Sequence, residues 1–444
     1  MWQRREQPSR TDLGNSMRRS TAAISGLAGL LLVLVLAASA RLAASPVEEP
    51  VEPILILVSL DGFRWDYLDL VDTPNLQQLA ARGVRAEGLI PVYPSKTFPS
   101  HYSIVTGLHP GHHGIISNNM YDSEIDAEFH LHDRDAVEDP RWWGGEPIWV
   151  TAEKQGIVAA TLFWPGSEAE IAGIRPSYWQ PYDESLAFES RVERVLKWLD
   201  LPDDDRPRMI ALYFEHPNDV SHRYGPEAPE TFASIRGVDA RIGDLVAGIE
   251  ERGFSNRVNL VIVSDHGMAE VGPDRVVYVE DYVELEEGEA FELGAILQIY
   301  PHEGREDLIY KALHGASPHL AIYRREEIPE HYHLRDHPRT PPILGVPDVG
   351  WEVATRSVMQ KYRGSMLKGD HGQDPGDPRM HGLFVASGPA IRSGVVIERF
   401  EAVEIYNLLT AILGLQPAPN DGDSRHLDEI LLTAHSPGGH LNPE

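Results

Sequence analysis

The stretch ILILVSL occupies residues 54–60, and Asp61 follows it directly. An uninterrupted apolar run of this length is typical of a β-strand that is buried on both faces, as in a parallel sheet. The run therefore predicts a central strand with an acidic side chain at its carboxyl end. Similar strand-like runs occur at 157–163, 209–214 (MIALYF), 258–264 (VNLVIVS) and 383–386.

Segments with helical spacing separate these runs. Thr73 is a suitable N-cap and Pro74 suits a first helical turn, so we predict a helix that begins there and ends near Gly83. Strands that alternate with helices predict an α/β fold with a mostly parallel central sheet flanked by helices. Further helical patterns cover about 183–199, 238–249 and 403–413.

The composition excludes several classes of function. The 444 residues include 39 Lys and Arg against 68 Asp and Glu, which gives a formal net charge of -29. An acidic chain lacks the basic surface that binding to a nucleic-acid duplex needs. Cysteine is absent, which excludes disulfides, thiolate metal sites and a cysteine nucleophile. Any metal ion must therefore be held by His, Asp, Glu or hydroxyl groups.

The first 44 residues are predicted to form a signal peptide. Arg18 and Arg19 precede an apolar run at 24–38, and small residues occupy 38–40. This order is typical of an export signal, whereas a membrane span needs about 20 apolar residues. An uncleaved anchor is the alternative. We expect no stable membrane span, a linker at 45–53, and a protein that is periplasmic or secreted.

The rest of the chain is predicted to form a core that is interrupted once. The strand and helix pattern holds over 54–275 and again over 369–444. Between them, 276–368 is rich in Pro, His, Tyr and acidic residues. Because a hundred structureless residues are unusual in a compact domain, we expect an inserted cap region rather than a loose surface excursion.

Polar side chains follow three of the predicted strands. Asp61 follows the first, Asp265 and His266 follow the run at 258–264, and the run at 209–214 leads into a loop at 215–222. If the strands are parallel, all three sites lie on one edge of the sheet, where α/β proteins bind ligands. Each alone could be a turn residue. Together, carboxylates and imidazoles suit zinc, manganese or another divalent ion.

A fourth candidate is Thr97 in the segment YPSKTFPSHYSIVTG at 93–107. Pro99 suits the first turn of a helix that begins near Phe98. Thr97 would then stand at a helix N-terminus, which favours an alkoxide or a phosphate oxygen. The alternative is that Thr97 is an ordinary N-cap.

Eight motifs, in order, carry a resemblance to a known family. The chain resembles the nucleotide pyrophosphatase/phosphodiesterase family of the alkaline phosphatase superfamily from about residue 54 to residue 415. The motifs are LDGFRWDYL at 60–68, YPSKTFPSHYSIVTGLHPGHHGI at 93–115, SNNMYD at 117–122, FWPGSEAEI at 163–171, HRYGP at 222–226, VSDHGM at 263–268, GDHGQD at 369–374 and MHGLFVASGPAI at 380–391.

The resemblance implies an alkaline-phosphatase-like fold, two zinc ions and a role for each matching residue. Thr97 matches the nucleophile, and Asn118 matches a residue that binds a phosphoryl oxygen. Phe98 and Tyr178 fall where the family stacks the nucleobase of its substrate. The ligands of one zinc ion match Asp61, Thr97, Asp265 and His266, and those of the second match His222 and His371.

The chain departs from the family at one further ligand of the second zinc ion. The family has an Asp four residues before the position of His222, where this chain has Asn218 followed by Asp219. Alignment without a gap favours Asn218, whereas charge favours Asp219, because an amide oxygen adds no negative charge. We keep both as candidate ligands, with a slight preference for Asp219.

The sequence thus predicts an exported two-zinc phosphodiesterase that hydrolyses nucleotide phosphodiester or pyrophosphate bonds through a phospho-threonine-type intermediate. Other divalent ions could replace zinc. Its partner would be a nucleotide or another small phosphodiester. The alternatives are a phosphodiesterase for choline or lipid head-group phosphodiesters, a phosphomonoesterase, or a non-catalytic metal or nucleotide binder.

Overall fold

The central sheet of the protein has seven strands. The structure is a computed structural model and describes residues 52–361 and 367–432. We number the strands in chain order. They are β1 (Ile54–Leu60), β2 (Val84–Ala86), β3 (Ala159–Leu162), β4 (Met209–Phe214), β5 (Val258–Val263), β6 (Phe384–Ser387) and β7 (Val395–Ile397). Their order across the sheet is β7-β2-β6-β5-β1-β4-β3.

Most of the sheet is parallel, as predicted. β5, β1, β4 and β3 run in one direction, and β1 is the central strand between β4 and β5. β6 is antiparallel to both of its neighbours. Its first residue, Phe384, pairs with Val263 at the carboxyl end of β5, so the chain enters β6 from the edge where the parallel strands end. The apolar run at 383–386 predicted this strand but not its direction.

Both faces of the sheet are buried, which explains the uninterrupted apolar runs. In β1, Leu55 and Leu57 belong to one apolar cluster, whereas Ile54, Ile56 and Val58 belong to another. The first cluster includes side chains of the helices Thr97–Thr106, Ile148–Lys154 and Ile405–Leu413. The second includes those of Pro74–Arg82, Phe188–Leu199 and Pro229–Glu251.

Residues 276–354 form two small sheets with an apolar cluster of their own. One has four antiparallel strands, in the order Ala290–Glu292, Leu297–Ile299, Ile343–Pro347 and Leu320–Arg324. Val276–Tyr278 pairs parallel with Glu352–Ala354, and the helix Glu306–Leu313 packs against the set. The boundaries 54–275, 276–368 and 369–444 stay a prediction.

Short elements complete the described chain. The remaining α-helices are Tyr67–Leu70, Pro110–His113, Arg134–Glu138, Asn218–Tyr224, Arg356–Lys361 and Leu427–Ile430. The remaining strands are Leu89–Ile90, Asn119–Asp122, Ala127–His130, Ala269–Glu270, Gly369–Asp370 and Phe400–Glu401.

The predicted signal peptide at 1–44 lies outside the described residues, as does most of the linker at 45–53. Within 52–361 and 367–432, no helix is long and apolar enough to cross a membrane.

The helix Pro74–Arg82 begins where the sequence predicts, but its N-cap differs. Thr73 occupies the cap position, but its side chain accepts no hydrogen bond from the helix. Asp239, from the helix Pro229–Glu251, takes that role instead. Its carboxylate accepts hydrogen bonds from the backbone N–H groups of Leu76 at 2.8 Å and Asn75 at 3.3 Å. A buried carboxylate from another helix therefore caps this one.

We expect Asp239→Ala to lower the free energy of unfolding by about 1–3 kcal/mol, because two helix N–H groups lose their acceptor. Asp239→Asn keeps one acceptor oxygen and should lose less. Urea unfolding followed by circular dichroism measures both variants. Equal unfolding midpoints for Asp239→Ala and the wild type would show that this cap contributes nothing.

Candidate functional site

Three adjacent strand ends build the site. Because β5, β1 and β4 are neighbours and parallel, the residues after them meet on one edge of the sheet. Asp61 follows β1, Asp265 and His266 follow β5, and β4 leads into the segment that holds His222. The predicted convergence of these residues is present in the structure.

Four of the predicted site residues meet at one ring nitrogen. The Nε2 atom of His266 lies 2.9 Å from Oδ2 of Asp265, 3.4 Å from Oδ1 of Asp61 and 3.5 Å from Oγ1 of Thr97. The Nδ1 atom of His266 lies 2.9 Å from the carbonyl oxygen of Gly267. A carbonyl can only accept, so Nδ1 carries the proton and Nε2 presents a lone pair to the other three residues.

This donor set fits a divalent cation. Oδ1 of Asp61 and Oδ2 of Asp265 are buried and have no hydrogen-bond donor. Lone pairs and carboxylates that face one another in a buried site repel unless a positive charge lies among them. Two carboxylates, one imidazole and one hydroxyl are ligands of the kind that zinc accepts.

Neighbouring side chains set the electrostatics of the two carboxylates. Burial, and then the nearby Asp265, raise the pKa of Asp61 well above its usual value. The hydroxyl of Tyr213 donates a hydrogen bond to Oδ2 of Asp61 at 2.7 Å. Asp265 is fully buried as well, with His101 and His266 beside its Oδ2 atom. Because burial and the second carboxylate disfavour its charged form, Asp61 needs a nearby cation to stay ionised in this site.

Sequence reasoning missed His101, which is buried beneath the site. Its Nδ1 atom lies 2.8 Å from the carbonyl oxygen of Thr97 and 3.2 Å from Oδ2 of Asp265. Its Nε2 atom lies 2.8 Å from Oγ of Ser59 in β1. His101 thus connects the first turn of the helix Thr97–Thr106 to Asp265. Its place inside the long motif at 93–115 was the only available signal.

A second group consists of His222, His371 and Asp370, whose potential ligand atoms lie within 4.8 Å of one another. The Nδ1 atoms of His222 and His371 each lie 2.8 Å from a backbone carbonyl oxygen, of Gly369 and Ser95 respectively. Both histidines therefore keep Nε2 free as a ligand atom. Sequence reasoning missed Asp370, although it directly precedes His371 in the motif at 369–374.

The expected loop at 215–222 is partly a helix, Asn218–Tyr224. Asn218 is buried, its backbone N–H donates to the carbonyl oxygen of Asp61 at 3.0 Å, and its Oδ1 atom has no donor. Asp219 is exposed, and its carboxylate accepts a hydrogen bond from Nδ2 of Asn218 at 3.4 Å. The buried oxygen without a partner therefore belongs to Asn218, which favours Asn218 over Asp219 as a ligand.

Thr97 and Asn118 meet at the start of the helix Thr97–Thr106. The helix begins at Thr97, and Lys96 occupies the cap position. The Oδ1 atom of Asn118 accepts a hydrogen bond from the backbone N–H of Phe98 at 2.9 Å. This bond uses the amide oxygen and leaves the amide N–H groups of Asn118 free to bind an anionic ligand.

A cavity of about 340 Å³ opens over these residues. Phe98, Phe163 and Tyr182 supply its aromatic wall, and the rings of Phe163 and Tyr182 lie 5.3 Å apart. The predicted Tyr178 does not line it. Tyr178 forms a β-bridge with Ala160, and its hydroxyl donates to the carbonyl oxygen of Asp205 at 3.1 Å. The sheet thus holds Tyr178 away, and Tyr182 lies at the cavity instead.

Residues 55–374 match a family model described as type I phosphodiesterase / nucleotide pyrophosphatase. The chain belongs to this family. The chain is 37% identical over 390 residues to ectonucleotide pyrophosphatase/phosphodiesterase family member 1 of Homo sapiens, with 85% of this chain and 42% of that protein covered. It is 38% identical over 388 residues to venom phosphodiesterase CdcPDE of Crotalus durissus collilineatus, which it covers to 46%. The chain therefore spans less than half the length of these two relatives.

This chain covers a larger share of one further relative and of one solved structure than of the two relatives above. An uncharacterized pyrophosphatase/phosphodiesterase of Schizosaccharomyces pombe is 38% identical over 385 residues, with 83% of this chain and 78% of that protein covered. Murine ectonucleotide pyrophosphatase/phosphodiesterase 5, an inactive threonine-to-alanine variant in complex with AMP, matches with a TM-score of 0.81 at 34% identity. The match covers 86% of this chain and 100% of that one.

We expect removal of divalent cations by a chelator at neutral pH to lower the melting temperature by several degrees. A ligand that binds the folded state stabilises it, and its loss leaves Asp61 and Asp265 without a counter-charge. Differential scanning calorimetry measures the change. Asp61→Asn should reduce the chelator effect, whereas Asp239→Asn, a carboxylate removed elsewhere, should keep it. A melting temperature that the chelator does not change would contradict the cation site.

Proposed function

We propose that this chain is an exported two-zinc phosphodiesterase that hydrolyses nucleotide phosphodiester or pyrophosphate bonds, with Thr97 as the nucleophile. The observation that carries this proposal is the convergence of Thr97, Asp61 and Asp265 on the free ring nitrogen of His266, beside a cavity with an aromatic wall. A hydroxyl among metal ligands is a means of activating an otherwise weak nucleophile.

Two sets of side chains would hold the ions. Thr97, Asp61, Asp265 and His266 form one set, and Asn218, His222 and His371 form the other, with Asp370 beside it. A bound divalent cation lowers the pKa of a coordinated hydroxyl and stabilises charge on phosphoryl oxygens.

The proposed reaction has two steps at phosphorus. The bond between Oγ1 of Thr97 and phosphorus forms, the bond from phosphorus to the leaving oxygen breaks, and its electron pair departs with that oxygen. The hydroxyl proton of Thr97 passes to solvent. Water then attacks the same phosphorus and releases Thr97. The free amide N–H groups of Asn118 would bind a non-bridging oxygen in both steps.

The aromatic wall would bind the nucleoside. Phe98 and Tyr182 lie on the same cavity as Thr97, and aromatic rings on either side of a slot stack favourably with a nucleobase. The murine relative of similar fold was solved with AMP bound, which supports a nucleotide as the ligand. We keep zinc as the metal because the ligands are imidazoles and carboxylates.

The proposal that the protein is exported is supported by the sequence before residue 52 and by the relatives. The arginine pair, apolar run and small residues at 18–40 have the order of a signal peptide. The relatives include a venom phosphodiesterase and an ectonucleotide pyrophosphatase/phosphodiesterase. We therefore propose a periplasmic or secreted location.

We expect Thr97→Ala to reduce hydrolysis of p-nitrophenyl thymidine 5′-monophosphate by several orders of magnitude, because the nucleophile is lost. Thr97→Ser keeps a hydroxyl and should retain a measurable fraction of the rate. Release of p-nitrophenol measures both variants, and p-nitrophenylphosphocholine tests the choline alternative. The nucleophile assignment is wrong if Thr97→Ala keeps more than a few per cent of the activity with unchanged metal content.

We expect Asn218→Asp to tighten zinc binding at least about tenfold, because it adds a charged ligand beside His222 and His371. Asp219→Asn should leave zinc binding unchanged, because the buried oxygen without a donor belongs to Asn218 and not to Asp219. Zinc retained after dialysis against a weak chelator measures both variants. The opposite pattern, with zinc lost in Asp219→Asn and no gain in Asn218→Asp, would assign the ligand to Asp219.

A further inference from the structure

A second cavity, of about 680 Å³, shares Asn118, Leu131, His222 and His371 with the first one. Its other wall comes from the inserted region, through the strands Ala290–Glu292 and Glu352–Ala354 and the helix Arg356–Lys361. A phosphate held at the three polar residues among them would therefore extend one substituent into each cavity.

The position of Thr97 decides which substituent lies in which cavity. Thr97 lines the first cavity, together with the aromatic wall, and does not line the second. In a displacement at phosphorus, the leaving oxygen departs on the side opposite the nucleophile. The leaving group of the proposed reaction is therefore directed into the second cavity.

The lining of the second cavity is mainly apolar. Among the described residues, eight apolar side chains border it: Leu131, Phe291, Leu293, Val353, Ala354, Val358, Met359 and Leu367. A wall of this kind binds the carbon skeleton of a ligand through burial of apolar surface. A hydrated polyanion would lose its water there without gaining comparable partners.

The charged side chains described in this cavity leave no cationic side chain free for a polyanion. Lys96 is the one Lys or Arg among its described lining residues, against the carboxyl groups of Glu292, Glu352 and Asp370. The Nζ atom of Lys96 lies 3.9 Å from Oε1 of Glu292, so its charge already has a partner. Ser117 fixes that carboxylate by donating a hydrogen bond to Oε2 at 2.6 Å. Glu292 offsets the charge of Lys96, and Asp370 lies beside the residues that would hold the second cation. Beyond those residues, the described lining of the cavity therefore offers a polyanion no unpaired cationic side chain.

We infer that the second cavity selects phosphodiesters whose leaving alcohol is partly apolar and uncharged or cationic, over substrates that release a polyanion such as pyrophosphate. The inference rests on the proposed function and narrows its substrate class. The inserted region is then the specificity element of the site, because it supplies Glu292, Glu352 and most of the apolar wall.

The test compares three aryl esters of thymidine 5′-phosphate whose phenols carry a carboxylate, no charged group, or a trimethylammonium group. kcat/KM is measured for the full chain at about 0.3 M salt, which screens the long-range field of this acidic protein. Val358→Lys places a cation on the half-buried cavity wall, and Val358→Gln is the uncharged control.

We expect the wild type to favour the neutral and trimethylammonium esters over the carboxylate ester. We compare kcat/KM for the carboxylate ester divided by kcat/KM for the trimethylammonium ester. Val358→Lys should raise this ratio about tenfold, because the added positive charge attracts the carboxylate and repels the trimethylammonium group at short range. Val358→Gln should leave this ratio unchanged. Because the ratio is compared between variants, differences in the reactivity of the three phenols cancel.

Two results would overturn the inference. The cavity does not select the leaving group if the wild type hydrolyses the carboxylate ester as well as the others, or if Val358→Lys and Val358→Gln give the same ratio. Hydrolysis of all three esters at similar rates would still leave the phosphodiesterase assignment intact. Failure to hydrolyse any of them would overturn the proposed function together with the inference.

Discussion

The Nε2 lone pair of His266 faces the carboxylates of Asp61 and Asp265 at 3.4 and 2.9 Å, while the proton of the ring is held on the opposite side by the carbonyl of Gly267. With the ring neutral, Nε2 places no proton between itself and the two carboxylates. The three acceptors therefore repel one another in a buried site, and a cation among them would remove that repulsion. Thr97 lies at the same point, so a cation bound there would also lie beside its hydroxyl.

The order and direction of the strands in the central sheet bring these side chains together. β1 lies between β4 and β5, and all three run in the same direction, so the residues that follow them are brought together without a long connection. The antiparallel strand β6 contributes in a different way. Because the chain must enter β6 from the same edge, the segment just before it carries Asp370 and His371 across the site. The one reversed strand thus helps to complete the second group of ligands.

Much of this could be predicted from the sequence, and the exceptions have physical reasons. β1, β4 and β5 are buried on both faces, so their apolar runs mark them almost to the residue, and Asp61, Asp265 and His266 follow from their ends. A run of apolar residues has no direction, which is why the reversal of β6 was not predicted. The strands of the inserted region have three to five residues and pair with distant partners, so only fragments of them were visible.

The aromatic and amide positions were harder to predict, because the residue type does not determine which way a side chain points. Tyr178 and Tyr182 lie four residues apart, and the β-bridge to Ala160 keeps the first away from the cavity. At 218 and 219, charge favoured Asp219, whereas the structure buries Asn218 against Asp61. The local packing, which the sequence did not show, therefore favours Tyr182 over Tyr178 and Asn218 over Asp219.

The most direct test of the central claim is an anomalous difference map, recorded at the zinc absorption edge, from crystals of the full chain grown with zinc. We expect one peak among Asp61, Asp265, His266 and Thr97, and a second beside His222 and His371. The claim would be contradicted by a map with no peak among Asp61, Asp265 and His266 while these three side chains keep the separations described above.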